Sequence, residues 1–600
     1  MKLLKFAYLL VHASMIVAPV EARILANTPS CAQKPGYYIS KSTGKCIKAC
    51  DSFNNVVLFG ETIPCTIKNF TQFDSFQSFA LPQSIVGLTQ LTSMTLNSFL
   101  KRSIPSELGK LTTLVHLDLR SNYISGSIPI EIGKLTRLTH LDISSNDITG
   151  IIPGVVSNLL NLKFVSISWN HLRGAVPRQW SKLLNNMDFS VNHLSGKIPV
   201  ELGQLSLLQS LSLSSNNLVG TIPSSLGKLT RLTNIDIQDN LDISGPIPTT
   251  LGKLSLLGAL LLRNNNLNGA IPSQFGGMTS LVFMDLRDNK LSGLIPSEMG
   301  KLSLLEALYL RNNNLNGAIP SQFGGMTSLL YMDLISNKLS GPIPTTLGKL
   351  SLLGELFLSN NNLNGAIPSE FGHMTSLSSM DLENNNLSGS ITTQLGRLTN
   401  LWGMSLNSNT LTGSIPSELG LLTNLLGMYL NSNKLSGPIP SQLGTLLNLW
   451  IMHLHSNTLT GTIPSQLGTL TSLWEMHLSS NKLSGPIPTQ LGDINLNSLN
   501  VSHNVLTGKI PSEIGKLSGM NEMDLSFNSL TGTIPTEFGI FSNLIRLYLH
   551  SNKFIGTMPE EICNLKDLSG PDDWNILANL TADCKTPNVE VTCTCCTACY

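Results

Sequence analysis

LTTLVHLDLRSNYISGSIPIEIGKL, residues 111–135, decides how the whole chain is read. Leu117 and Leu119 flank a variable residue, so a short strand here turns its leucines to one side and His116, Asp118 and Arg120 to the other. Asn122 follows where the chain must leave the strand, and its amide can satisfy backbone groups that the turn cuts off from water. Gly126 permits a tight bend, Ile128 adds a second buried layer, and Pro129 fixes φ and stops helix growth. The segment cannot bury its apolar side alone. It needs neighbours of the same kind.

The chain supplies them. Nineteen pivot asparagines run from Asn122 to Asn552, and from Asn265 to Asn481 the step is always 24 residues. A degenerate first unit, LTQLTSMTLNSFLKRSIP, brings the total to about twenty. Residues 254–301 and 302–349 are nearly one 48-residue block written twice, which marks tandem duplication. A single period over 600 residues predicts one elongated domain instead of several globular ones. The expected fold is an α/β-type solenoid, mainly short parallel strands, with an inner face on the order of 95 Å along its arc at a strand spacing of about 4.8 Å.

The N-x-L-x-G-x-I-P segment, as in NNLNGAIP at 313–320 and NKLSGPIP at 433–440, resembles the plant-type extracellular leucine-rich repeat of receptor-kinase ectodomains and polygalacturonase-inhibiting proteins. The resemblance covers residues 88–562. It implies a superhelical twist, a second short sheet holding the Ile-Pro segment, and a recognition role. The ends depart from it: no paired Cys-Trp cap motif precedes the repeats, and the tail CTCCTAC is more similar to secreted repeat proteins of microalgae. No kinase signature follows the repeats, so signalling is not implied.

Residues 1–22 carry Lys2 and Lys5, an apolar stretch and small residues ending at Ala22, the pattern of a signal peptide. The expected organisation is a leader at 1–22, a cysteine-containing cap at 23–87, the solenoid at 88–562 and a cysteine-rich cap at 563–600, with no membrane span. All ten cysteines lie at the ends: Cys31, Cys46, Cys50 and Cys65, then Cys563, Cys584, Cys593, Cys595, Cys596 and Cys599. Each group is even, as closed local disulfide sets require in a secreted chain. Pairing within each group stays open. The near-zero net charge of +1 gives no reason to expect nucleic acid as a partner.

Recognition then has to be read down the outward columns. Between Asn240 and Asn361 they hold Arg263, Phe283, Asp285, Arg287, Tyr309, Arg311, Tyr331, Asp333 and Phe357. Between Asn409 and Asn481 they hold Tyr429, His453, His455, Glu475 and His477, with Trp402, Trp450 and Trp474 in a column just before the strand. Aromatic anchors give large contact area at small rotamer cost, which makes the second stretch the better contact site. His453 and His477 adjoin, but without a third ligand they are not read as a metal site. The L-D-L aspartates, among them Asp118, Asp142, Asp285 and Asp333, are read as a solvated strand face. The methionines at inward positions, from Met284 to Met476, are read as core.

Of four glycosylation sequons, those in the caps at Asn69 and Asn579 are the expected acceptors, since Asn500 falls on the concave face. Nothing in the repeats pairs a nucleophile with a base or cradles a phosphate, so no enzyme and no cofactor are expected. The sequence therefore predicts a secreted binding protein, extracellular or in the cell wall, for a protein, peptide or glycan. The other reading is a structural or adhesive matrix component.

Overall fold

A computed structural model describes residues 100–566 continuously, 577–584 and 591–600 after them, and 37–39, 46–48, 55–58, 61–64, 68–71, 79–81 and 83–96 before them. The leader expected at 1–22 and Cys31, Cys50 and Cys65 lie outside these residues, and Cys46 is described only by its backbone, in the strand Cys46–Lys48.

Each unit opens with a three-residue strand whose central side chain is buried, as Leu117 is in His116–Asp118. Neighbouring strands pair in parallel, residue for residue: His116 beside His140, Leu117 beside Leu141, Asp118 beside Asp142. The ladder counts 23 strands and runs from Asn69–Thr71 to Ala598–Cys599, so it continues past both ends of 88–562. One apolar core runs beneath it from Leu81 to Val591. Met284, Met332, Met380, Met404, Met428, Met452 and Met476 all sit in that core.

The pivot asparagines form the expected ladder. Asn289 donates from Nδ2 to the carbonyls of Leu262, Leu286 and Arg287 at 2.9, 3.2 and 3.0 Å, and its Oδ1 accepts the Leu267 N–H at 3.0 Å. Two of these four bonds reach back into the preceding unit, so every pivot ties its own turn to its neighbour. Where one extra residue separates Asn240 from Asn265, the exposed Leu241 takes up the slack, and Asn265 Oδ1 instead accepts the N–H of Asn240 itself.

Beyond the pivot, segments such as Asn314–Gly317 form a second row of parallel strands, in sheets of four, ten and six. The Ile-Pro step does not belong to this row, contrary to expectation. Most of these strands end at or just after the glycine, which adopts a positive φ, +73° at Gly317. The isoleucine is then buried in the core, and proline, which has no N–H for a ladder, starts the next helix. That helix is a five-residue 3-10 turn such as Ser321–Gly325. Most such turns carry a glycine of their own, required by close approach and not by φ: a Cβ on Gly276, in the turn Ser273–Gly277, would stand 2.5 Å from the carbonyl oxygen of Glu298 in the next turn.

Between Asn170 and Asn192 the unit is two residues short of the usual step and the 3-10 turn is missing. Trp180 fills the gap, buried against Phe189 at 5.2 Å between ring centroids, with its indole N–H on the Pro177 carbonyl at 2.8 Å.

The C-terminal cap closes the core with Leu577, Leu580 and Val591. Asp583 accepts the N–H groups of Ser551 and Asn552 at 2.6 and 2.9 Å, on the last unit. The open pairing is resolved as Cys563–Cys595, Cys584–Cys599 and Cys593–Cys596.

Candidate ligand-binding face

The parallel register turns the variable residues into literal columns. Phe283, Ala307, Tyr331 and Glu355 stand side by side at the first strand position, and Asp285, Tyr309, Asp333 and Phe357 at the third. Tyr429, His453, His477 and Asn500 continue the third column further along.

In the stretch 259–357 two of the three column arginines are held by carboxylates. Arg287 donates to both carboxylate oxygens of Asp285, at 3.0 and 2.7 Å, and its guanidinium lies 4.4 Å from the Tyr309 ring centre. Arg263 meets Asp239 at 3.4 Å. Arg311 is exposed and has no ion pair among the described residues. Phe283 and Tyr309 touch diagonally, with ring centroids 5.4 Å apart. Burial pushes the Tyr309 phenol up to about 12 and the Asp333 carboxyl up to about 6.

The aspartate column is not a solvated face. Asp118, Asp142, Asp285 and Asp333 are all buried. Each accepts the backbone N–H two residues on, as Asp142 does from Ser144 at 3.0 Å and Asp333 from Ile335 at 3.2 Å. The strand ends after three residues, and the N–H that the bend frees has no strand partner. The aspartate is therefore a turn cap, and Asn500 plays the same part toward Ser502.

The stretch 402–477 is built differently. The rings of His453 and His477 stack 4.5 Å apart and 2° from parallel, with Tyr429 meeting His453 edge-on at 5.3 Å. Glu475, at the first strand position, reaches diagonally to His453 and places Oε2 at 3.2 Å from Nε2. His477 Nε2 lies 2.9 Å from the Ser498 hydroxyl. Burial lowers the pKa of His453, His455 and His477. Trp402, Trp450 and Trp474 form a separate row where the chain enters the sheet, 44, 55 and 37% exposed, with Leu426 between them. The row is at the rim, and among the described residues no ring contact joins it to the histidines.

A third patch stands in the same outward columns nearer the N-terminal end, and its signal in the sequence is the recurrence of a ring at the first strand position of three successive units. His116, His140 and Phe164 stack at successive centroid distances of 4.2 Å, beside Arg120, Asp118 and Asp142. Burial, with His116 alongside, lowers the His140 pKa to about 4. The sequon sites were expected to differ, but do not: exposed Asn69 and Asn579 are themselves concave-sheet residues, on strands Asn69–Thr71 and Asn579–Ala582.

Away from the columns, a shallow depression of about 1120 Å³ runs along the Ile-Pro segments and is lined by residues such as Ser414, Pro416, Pro440, Thr462 and Gln466. It carries little charge. The exposed lysines of the G-K-L turns, Lys110 through Lys349, mark the opposite, convex side.

This architecture defines the chain as a parallel-strand solenoid with a patterned inner face. The leucine-rich-repeat models match it at 112–172, 255–315 and 303–363, and again in five shorter segments between 207 and 565. The Arabidopsis receptor kinase HAESA, solved with the peptide hormone IDA and the co-receptor SERK1, is 32% identical, with 86% of this chain and 87% of that one aligned and a TM-score of 0.77. The plant peptide hormone receptor RGFR1, solved with RGF2, is 29% identical over 92% of this chain and 94% of that one, with a TM-score of 0.70. The PEPR1–AtPEP1 structure aligns at 32% identity over 87% and 79%, with a TM-score of 0.69. No curated protein matches in sequence. The chain belongs to the leucine-rich-repeat family, and its solenoid is of the plant receptor-ectodomain type.

Proposed function

We propose that the chain is a secreted, non-catalytic recognition protein that binds an extended peptide or protein segment along its concave face, as an inhibitor or a soluble co-receptor. One observation carries the reading: aromatic and ionizable side chains stand in register columns on that face, and the similar solenoids were solved with peptide hormones. The stretch 402–477 is the contact site, because its exposed tryptophans are free to bury area against a partner while Arg287 and Asp285 are already engaged with each other. The leader-like start and the C-terminal disulfides support an extracellular setting.

The test uses the mature chain immobilised against extracellular and cell-wall extracts, with captured molecules identified by mass spectrometry. Replacing Trp450, Trp474 and His453 with alanine together is expected to reduce capture of the identified peptide or protein at least tenfold while thermal unfolding is unchanged. Capture that survives this triple change but is lost on replacing Lys228 and Lys253 moves the site to the convex side and overturns the reading. Capture of a glycan alone overturns the peptide assignment. Equal small losses from every patch point to a matrix component instead.

A further inference from the structure

The trio His453, Glu475 and His477 was not a candidate in sequence, because Glu475 lies diagonally across two strands and only the register shows that it faces the imidazoles. Their donor atoms all lie within 4.8 Å of one another. Among the described residues no other trio of histidine, cysteine, aspartate or glutamate is grouped this closely. We infer that His453, Glu475 and His477 form a divalent transition-metal site, of the kind that takes zinc, bridging two adjacent units on the concave face.

Three features of the structure support it. The donors are two imidazoles and one carboxylate, the mixed nitrogen and oxygen set that suits zinc and leaves a coordination position open. They stand on adjacent strands, Ile451–His453 and Glu475–His477, whose backbones are fixed by parallel pairing and by buried Met452 and Met476, so little ordering remains to be done on binding. Tetrahedral zinc with bonds of about 2.0–2.1 Å needs its donors closer than they stand now. Rotation about the side-chain bonds of three partly exposed groups can supply that closure without moving a strand. Ser498, 2.9 Å from His477 Nε2, is placed to orient that ring.

The disulfides remove the competing thiolates at the C-terminal end, since Cys593, Cys595, Cys596 and Cys599 are all paired. The vacant side of the ion would face the concavity beside Tyr429, where a carboxylate or imidazole of a bound peptide can complete the coordination. That last step rests on the proposed recognition role; the ion site does not.

Titration of the oxidised, metal-free full chain with zinc alone, followed by calorimetry, separates the two. One strong equivalent is expected, and cobalt in its place should give the visible absorption bands of a four- or five-coordinate ion. Glu475→Gln and His477→Ala should each weaken zinc binding at least tenfold, while His116→Ala, in the other histidine stack, leaves it unchanged. Circular dichroism confirms that each variant is folded. Absence of a strong equivalent in the unaltered chain, or an equivalent that persists in both Glu475→Gln and His477→Ala, overturns the site. Since no partner is used, failure here leaves the peptide-capture result standing, and the reverse also holds.

Discussion

The stretches 259–357 and 402–477 share one scaffold, one register and one core, yet they handle polar groups in opposite ways. In the first, Arg287 is held bidentate by Asp285 and covered by Tyr309. In the second, the histidines meet one carboxylate and one hydroxyl, and the rim tryptophans keep 37–55% of their surface exposed. A solenoid fixes where outward side chains stand and leaves their chemistry free. Satisfaction within a patch and availability to a partner therefore trade against each other, and the two stretches sit at opposite ends of that trade.

The largest effect should come from breaking the scaffold between them. Asn361 donates to the carbonyls of Leu334, Leu358 and Ser359 at 3.0, 3.1 and 3.2 Å and accepts from Leu339. Asn361→Ala should cost about 3–4 kcal/mol locally, by leaving buried carbonyls and an N–H unpaired. Hydrogen exchange should accelerate in the flanking units and hardly at all near Asn122 or Asn552, because each unit contacts only its neighbours. Uniform acceleration along the chain would contradict this.

Next in size is the ion pair. Asp285→Asn should destabilise by about 1–2 kcal/mol in chemical unfolding, since it removes a charge-assisted pair while leaving an oxygen to cap the Arg287 N–H. A double-mutant cycle with Arg287→Ala should show most of that loss as coupling. Near-zero coupling would mean that the first stretch is no more self-satisfied than the second.

The two stretches should also answer pH with opposite sign. Asp333 titrates near 6 when folded and near 3.8 when unfolded, so the folded state holds more protons between those values and stability is lost as pH rises through that window. His453, His455 and His477 have folded pKa values below 6.5, so the unfolded state holds more protons and stability is lost as pH falls below 6.5. Exchange protection measured at pH 4.5 and 6.5 should shift toward 402–477 at the higher value. Asp333→Asn should flatten the response of the first stretch. The smallest effect is expected from Trp450→Ala, within about 0.5 kcal/mol of the unaltered chain, because a rim side chain has little to lose on its own.

The period, the pivot asparagines and the buried methionines were legible because each is a repeated inward demand of the core. The aspartates were misread for a geometric reason. Parity puts Asp142 and Asp333 on the outward side, but parity holds only while the strand is straight, and the bend after three residues brings a backbone N–H onto the carboxylate. Glu475 was seen in its column and missed as a neighbour of His453, because diagonal contacts depend on how strands are set side by side. The cap sequons were placed off the inner face because nothing in their local sequence announces strands that join it.

The glycine of each 3-10 turn sets more than a local contact. At Gly276 the approach of the Glu298 backbone makes the outer wall of the solenoid as thin as a backbone permits. Wall thickness on the outside, against strand spacing on the inside, is what fixes the radius of such a coil. A methyl group at Gly276, or at the equivalent Gly348, would act as a wedge on the outer wall and tighten the bend at that unit. The inner face would then narrow near Tyr309 or Phe357. The curvature of the inner face along 259–357 is thus set in part from the far side of the molecule, through shape alone, with no residue of the inner face replaced.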